Sequence, residues 1–343
     1  MNRDRKLPLL AAVFIALLPV SGRSDPARCP EPKATLLTSG LQGPFGITVG
    51  PDRALYVAES ATGRISRIDP NTGATTVFAS GLPKRLTGLT FGGPVDVAFV
   101  GNTAYVLVSL VSPDLGGNSI DGIYRVDGPN TFTVVANIGA WSIAHPPKTG
   151  GEVPSGVHWA LHTYRDGFLV SDANHNRVLF VTLDHCANFD STNTSNISEF
   201  ITFLVDNTPS GLAVSGDDVY VAEAGADPHL PQDGKVVAFD PDSGDLDTVA
   251  SGAPFLLDVK FRRGDLYALS NGVWTCCGPG DPALPNTGSL VKVNDDGGFT
   301  VITDHLDRPV SLQFIGNTAY FVSLAGEVWK IEDVSCRRGH DPR

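Results

Sequence analysis

The sequence predicts an all-β chain folded as a six-bladed β-propeller of four-stranded blades, with the ring closed by the N-terminal strand. One phrase returns six times: PFGITV from Pro44, PVDVAF from Pro94, PSGVHW from Pro154, PSGLAV from Pro209, LLDVKF from Leu256 and PVSLQF from Pro309. Units of roughly fifty residues are too small to bury their own apolar faces, so neighbours must complete a shared core. Three further strand-like phrases follow in each unit, and the last unit lacks its fourth.

The second phrases are ALYVAES ending at Ser60, TAYVLVS at Ser109, GFLVSDA at Ala173, DVYVAEA at Ala224, DLYALSN at Asn271 and TAYFVSL at Leu324. The third begin at Gly63, Asp121, Asn176, Gly234, Gly288 and Gly326, and the fourth are rich in Thr and Val, as in TTVFASG and FTVITDH. β-branched and aromatic residues alternate between Gly, Asp, Asn and Pro turn signals, and nothing sustains a helical period. The missing sixth fourth-strand stands at the other end of the chain, where ATLLTSG runs from Ala34 to Gly40. It is expected to pair with the third strand of the last blade and so remove the open edges.

Residues 1–22 read as a signal peptide: Arg3, Arg5 and Lys6 precede an apolar run from Leu7 to Val20, then small residues. Residues 23–343 are expected to form one propeller domain, secreted or periplasmic. The apolar run is shorter than a bilayer span, so no membrane span is predicted. In an oxidising compartment the five cysteines should pair. Ring closure brings Cys29 towards Cys336, a bridge worth on the order of 5 kcal/mol by loop entropy. Cys276 and Cys277 are candidates for a vicinal bond, which leaves Cys186 over; reduced, buried thiols are the alternative. A net charge of -12 argues against nucleic acid and anionic membrane surfaces as partners.

Loops from a fourth strand to the next first strand, and from second to third, share one face of a propeller. The second-to-third loops are long in blades 2, 4 and 5, and a long connection runs from Trp141 to Pro154. All four fall on that face, which marks it as the functional one. Third in the repeated first phrase are Gly46, Asp96, Gly156, Gly211, Asp258 and Ser311, so Asp96 and Asp258 oppose each other across the channel. Late in the second strands stand Glu59, Asp172 and Glu223. Such a ring of carboxylates suits a divalent cation such as calcium, with Asp96 and Asp258 as metal ligands, or it raises one carboxyl's pKa. The other reading is that the acids accept backbone N–H bonds and cap loops. His145, His229 and Trp274 lie in the long loops as candidate ligand-binding residues. His158 and His162 sit on a strand pattern, where four-residue spacing does not build a zinc site.

Laid out this way, the chain resembles the ScyD/ScyE family of exported six-bladed propellers, within the wider TolB-like, NHL-like and gluconolactonase-like group. The phrases that carry the resemblance are SGLQGPFGITVGPDRALYVAES, GPVDVAF, LVSDANHNRV and PSGLAVSGDDVYVAEAGADPHLP. It implies the fold and export, and brings no established activity. Calcium-dependent lactonase and phosphotriesterase propellers carry an E-G-P phrase where this chain has Gln42, Gly43 and Pro44. They carry Asn or Asp where it has Ser155 and Ser210. The expected function is therefore binding of a small molecule, polysaccharide or protein through the long-loop face. The alternative is a metal-dependent hydrolase of lactones or esters using the acidic channel. A quinone-dependent dehydrogenase is suggested only by the adjacent cysteines near Trp274.

Overall fold

Alternation of apolar and polar residues over five to eight positions produces strands throughout. The computed structural model describes residues 32–148, 151–183, 192, 194–275, 278 and 280–335. All five cysteines and the segment 1–22 lie outside these residues, and with them the expected bridges and signal peptide.

The first strand, β1 (Ala34–Ser39), precedes the first complete blade. Blade 1 comprises β2 (Pro44–Val49), β3 (Leu55–Glu59), β4 (Arg64–Ile68) and β5 (Thr75–Ser80). Blade 2 comprises β6 (Gly93–Val100), β7 (Thr103–Ser109), β8 (Gly122–Gly128) and β9 (Thr131–Ala136). A short helix, α1 (Ile138–Ala144), leads to blade 3, made of β10 (His158–Tyr164), β11 (Gly167–Asp172), β12 (Arg177–Thr182) and β13 (Ile197–Thr202). Blade 4 comprises β14 (Pro209–Ser215), β15 (Asp218–Glu223), β16 (Gly234–Phe239) and β17 (Leu246–Ala253). Blade 5 comprises β18 (Leu256–Arg262), β19 (Asp265–Ser270), β20 (Gly288–Val293) and β21 (Phe299–Leu306). Blade 6 has β22 (Pro309–Ile315), β23 (Thr318–Ser323) and β24 (Glu327–Ile331), completed by β1.

The chain is thus an all-β, six-bladed propeller closed as the sequence predicts. β1 pairs antiparallel with β24 from Ala34 opposite Ile331 to Ser39 opposite Glu327. Apolar side chains pack between blades: Ile123 and Tyr105 of blade 2 join Phe168 and Leu179 of blade 3. Tyr267 and Leu290 of blade 5 join Phe321 and Ile331 of blade 6. Among the described residues, no helix is long and apolar enough to cross a membrane.

Two features differ from the sequence reading. α1 occupies part of the connection read as loop, its first turn capped by the Asn137 side chain accepting from Ala140 N at 3.0 Å. And the first strand of blade 3 is four residues later than the PSGVHW alignment. His158 pairs opposite Asp172 as Pro44 does opposite Glu59 and Pro209 opposite Glu223. The third position of blade 3 is therefore Ala160, not Gly156.

Candidate functional site

With that register, the second and third positions of the six inner strands line the axis: Phe45 and Gly46, Val95 and Asp96, Trp159 and Ala160, then Gly211, Leu257 and Asp258, and Val310 and Ser311. The third positions read small, Asp, small in blades 1–3 and again in blades 4–6. A Cβ on Gly46 would collide with the Asp96 carboxylate, and one on Gly211 with that of Asp258. Each Asp clasps two blades. Asp96 accepts from Val97 N and, in blade 3, from Leu161 N, both at 2.8 Å. Asp258 accepts from Val259 N and, in blade 6, from Leu312 N, both at 2.8 Å, and from Ser311 Oγ at 3.0 Å.

The two differ in one neighbour. Lys260 Nζ lies 2.5 Å from Asp258 Oδ1 and donates also to Leu212 O at 3.1 Å; the matching position beside Asp96 is Ala98. Burial pushes the Asp96 carboxyl up to about 7, against the pull of the Leu161 N–H and the more distant Lys260 charge. Burial and then the Lys260 charge push His162, also on the axis side, down to about 4. The space left between these side chains holds about one water molecule.

Calcium is the cation that the sequence suggests for Asp96 and Asp258. All four oxygens of Asp96 and Asp258 are engaged by N–H or O–H donors, and an ammonium sits on one of them. Among the described residues, no group of three or more His, Cys, Asp and Glu side chains is arranged for a metal ion. This pair does not fit a calcium site.

The second-strand acids face the start of the third strand. Glu59 accepts from Gln42 N at 2.6 Å, from Arg64 Nε and Nη2 at 2.8 Å, and from Ser66 Oγ. Glu223 lies 3.0 Å from Lys235 Nζ, and burial pushes its carboxyl up to about 7 despite that lysine. Asp172 accepts from Val157 N at 3.0 Å and from Arg177 Nε at 3.1 Å, with His175 Nδ1 at 2.9 Å. Burial alone would raise Asp172, but the His175 hydrogen bond and the nearby Arg177 guanidinium hold it at about 2. Glu59 and Asp172 thus brace loops across a strand pair, Glu223 faces Lys235, and all three are fully buried. His158 is enclosed beside the Asp172 group, its ring without a hydrogen-bond partner, and burial pushes it down to about 4.

Arg177 is a residue that sequence patterning did not single out. Its guanidinium donates to His145 O at 2.8 Å and Ser142 Oγ at 3.0 Å and lies 4.9 Å over the Trp141 ring. It thereby holds α1 against blade 3, with His145 stacked on Trp141 at 4.3 Å. Asp121 is a second such residue: buried, it accepts from Val111 N and Ser112 Oγ at 2.8 Å, and burial raises it to about 6.

The long-loop face covers the axis. Phe91, in the connection before blade 2, meets Phe45 and Trp159 at ring separations of 5.8 and 5.4 Å. Trp159 Nε1 donates across to Leu257 O at 3.3 Å. Thr90 Oγ1 donates to Gly280 O at 2.9 Å, so loops of blades 2 and 5 meet over the centre. His229 stacks on Phe255 at 4.3 Å and meets Trp274 edge-on at 5.7 Å. Asp96 and Asp258 therefore lie beneath an aromatic plug and not at an open mouth, while Glu59, Asp172 and Glu223 belong to separate blades. The structure does not gather the candidate acids into one constellation.

Exposed large hydrophobic side chains distinguish the two faces. Among the described residues Leu36, Val77, Leu246 and Val301 occupy fourth strands at the rim, and Ile143, Leu204, Val205, Leu230 and Leu284 lie on the long-loop face. The hairpins of the opposite face hold none of them. They carry surface ion pairs instead, such as Arg67 with Asp52 at 2.7 Å and Arg165 with Asp217 at 3.4 Å.

No protein-family model matches the chain, and no curated protein matches it. Solved structures do. A PQQ-bound aldose sugar dehydrogenase from Streptomyces coelicolor superposes with a TM-score of 0.57 at 14% identity, covering 88% of this chain and 99% of that one. A gluconolactonase from Xanthomonas campestris gives 0.55 at 14% identity, over 89% and 91%. A virginiamycin B lyase from Staphylococcus aureus gives 0.52 at 12% identity, over 88% and 98%. At such identities the likeness establishes the propeller fold, which this chain shares with sugar dehydrogenases and a gluconolactonase.

Proposed function

We propose that this chain is an exported propeller of the ScyD/ScyE type that binds a small molecule, polysaccharide or protein through its long-loop face. The observation that carries the reading is the distribution of exposed apolar side chains. Five of them project from that face, and the axis beneath is filled by Phe45, Phe91 and Trp159. Apolar side chains left in water on one face, with ion pairs on the other, are the pattern of a recognition surface. A thermal-shift screen of glycans, lactones and peptides, followed by hydrogen-exchange mapping of each hit, tests it. Protection should fall on residues 138–148, 203–208, 224–233 and 280–287; protection confined to the hairpins of the opposite face would overturn it.

A lactone or ester hydrolase is the second reading, favoured by one observation: a carboxyl at Asp96 poised at about 7 is matched to general-base work near neutrality. Against it stands the engagement of both Asp96 oxygens by backbone N–H groups. Hydrolysis of lactones or aryl esters that disappears in Asp96→Asn would establish this reading over the first.

A further inference from the structure

Four of the five exposed apolar residues lie on one arc over blades 4 and 5. The chain beneath them is continuous. Gly225 N donates to Asn207 O at 3.1 Å, which joins the Leu204 segment to the loop of blade 4. His229 of that loop packs on Phe255 and Trp274, and Leu284 N donates to Val273 O at 2.9 Å. Leu204 and Val205, 78% and 60% exposed, thus share a packed surface with Leu230 and Leu284.

Carboxylates accompany each of these side chains: Asp206 after Val205, Asp227 and Asp233 on either side of Leu230, and Asp281 before Leu284. None of the four has an ion-pair partner among the described residues. The cations of the arc are already engaged, Lys235 at 3.0 Å from Glu223 and Arg308 at 2.6 Å from Asp307. The arc therefore combines apolar area with uncompensated negative charge, in a chain whose net charge is -12.

Resting on the long-loop face as the binding face, we propose that this arc docks a basic, apolar polypeptide segment of another protein. Leu204, Val205, Leu230 and Leu284 contact its apolar side chains, and the four carboxylates meet its Lys and Arg. An anionic lipid surface or nucleic acid would face repulsion here, and a small cation would leave the apolar residues in water. Charge complementarity of this kind sets the rate of encounter and makes it sensitive to salt.

The test uses the purified mature protein and two synthetic helical peptides with the same leucine spacing, one carrying Lys and the other Glu at the polar positions, read by fluorescence anisotropy. Phosphatidylglycerol vesicles serve as a third probe. The Lys peptide should bind, and binding should weaken by roughly tenfold or more at high salt. The doubles Leu204→Ser/Val205→Ser and Asp206→Asn/Asp227→Asn should each weaken it by about tenfold, and the rim double Leu246→Ser/Val301→Ser should leave it unchanged. These are exposed positions, and circular dichroism melts confirm that each variant is folded. No binding of the Lys peptide, or binding indifferent to the arc variants, overturns the proposal. Glu peptide binding that the Leu204→Ser/Val205→Ser double abolishes would also overturn it, yet would keep the long-loop face as a binding surface. Vesicle binding lost in the same variants would overturn it in favour of a lipid surface.

Discussion

Asp96 and Asp258 occupy equivalent positions on opposite sides of the ring and make the same two backbone clasps, yet their electrostatics differ. Beside Asp258 stands the Lys260 ammonium at 2.5 Å; beside Asp96 stands Ala98. One half of the axis carries a buried ion pair, the other a carboxyl whose burial favours the protonated form. The lesson is that a repeated backbone geometry fixes where a carboxyl accepts its N–H bonds, and a single side chain two residues on decides whether it has an ion-pair partner.

The largest effect expected from breaking this comparison is at Asp258. Asp258→Leu removes the partner of a partly buried ammonium and of the buried Leu312 N–H, at a cost of about 3 kcal/mol, the lower end for broken buried pairs. A fall in Tm on the order of 10 °C should appear in a circular dichroism melt. Asp96→Leu should lower Tm by less, since it strands no cation, and equal losses would dissolve the distinction between the two sites.

Lys260→Met should cost about 1–3 kcal/mol by urea denaturation, because it leaves a buried carboxylate without its counter-charge. Adding Asp258→Asn should recover most of that loss. A double variant as unstable as the single would show that Lys260 acts through packing and its bond to Leu212 O.

The third expectation concerns pH. The folded-state value for Asp96, about 7, lies above the ordinary 3.8, so between these values the folded chain holds a proton that the unfolded chain releases. Stability from this site is therefore greatest below 3.8 and is lost as pH rises towards 7. Asp96→Asn should flatten that part of the stability curve. His162, pushed down to about 4, works the opposite way between that value and its ordinary 6.5. It is common to both proteins, so the difference curve isolates Asp96. A difference curve that does not change with pH would refute this account of Asp96. The smallest effect belongs to the hairpin face, where Arg67→Gln breaks an exposed pair with Asp52 and should cost about 0.5 kcal/mol or less.

The blades and their closure were legible because Val, Ile, Tyr and Phe alternate at a fixed period and because ATLLTSG had no other place to go. The register of blade 3 was legible too, though a cue stronger than the PSG phrase was needed. In every blade fourteen or fifteen residues separate the first position of the repeated inner phrase, such as Pro94, from the second-strand column of Glu59, Val108, Asp172, Glu223, Ser270 and Ser323, and the interval ending at Asp172 begins at His158. Asn137 ahead of IGAWSIA was a readable cap for α1. The placement of Asp96 and Asp258 across the axis was legible from the repeat, but the aromatic plug over them was not. Phe45, Phe91 and Trp159 meet only because the ring brings blades 1 and 3 to the same axis, and the Thr90 to Gly280 bridge joins residues 190 apart in the chain. Whether a carboxylate faces a ligand or a backbone N–H depends on such distant neighbours, which periodicity does not encode.

The pairing of β1 with β24 joins residues up to 297 positions apart, Ala34 opposite Ile331, and Thr35 Oγ1 donates to Lys330 O. During synthesis β1 must wait for β24, which is made nearly three hundred residues later. Closing a loop of about 300 residues carries an entropic cost that no earlier blade interface shares, and topology of this kind slows folding. Until it closes, blade 6 has three strands and an unsatisfied edge. A circular permutant that moves residues 32–43 to follow Ser335 would turn that long-range meeting into a local one and let every blade form from contiguous chain. The latch would become an ordinary hairpin, and the waiting time built into the native order of the chain would vanish.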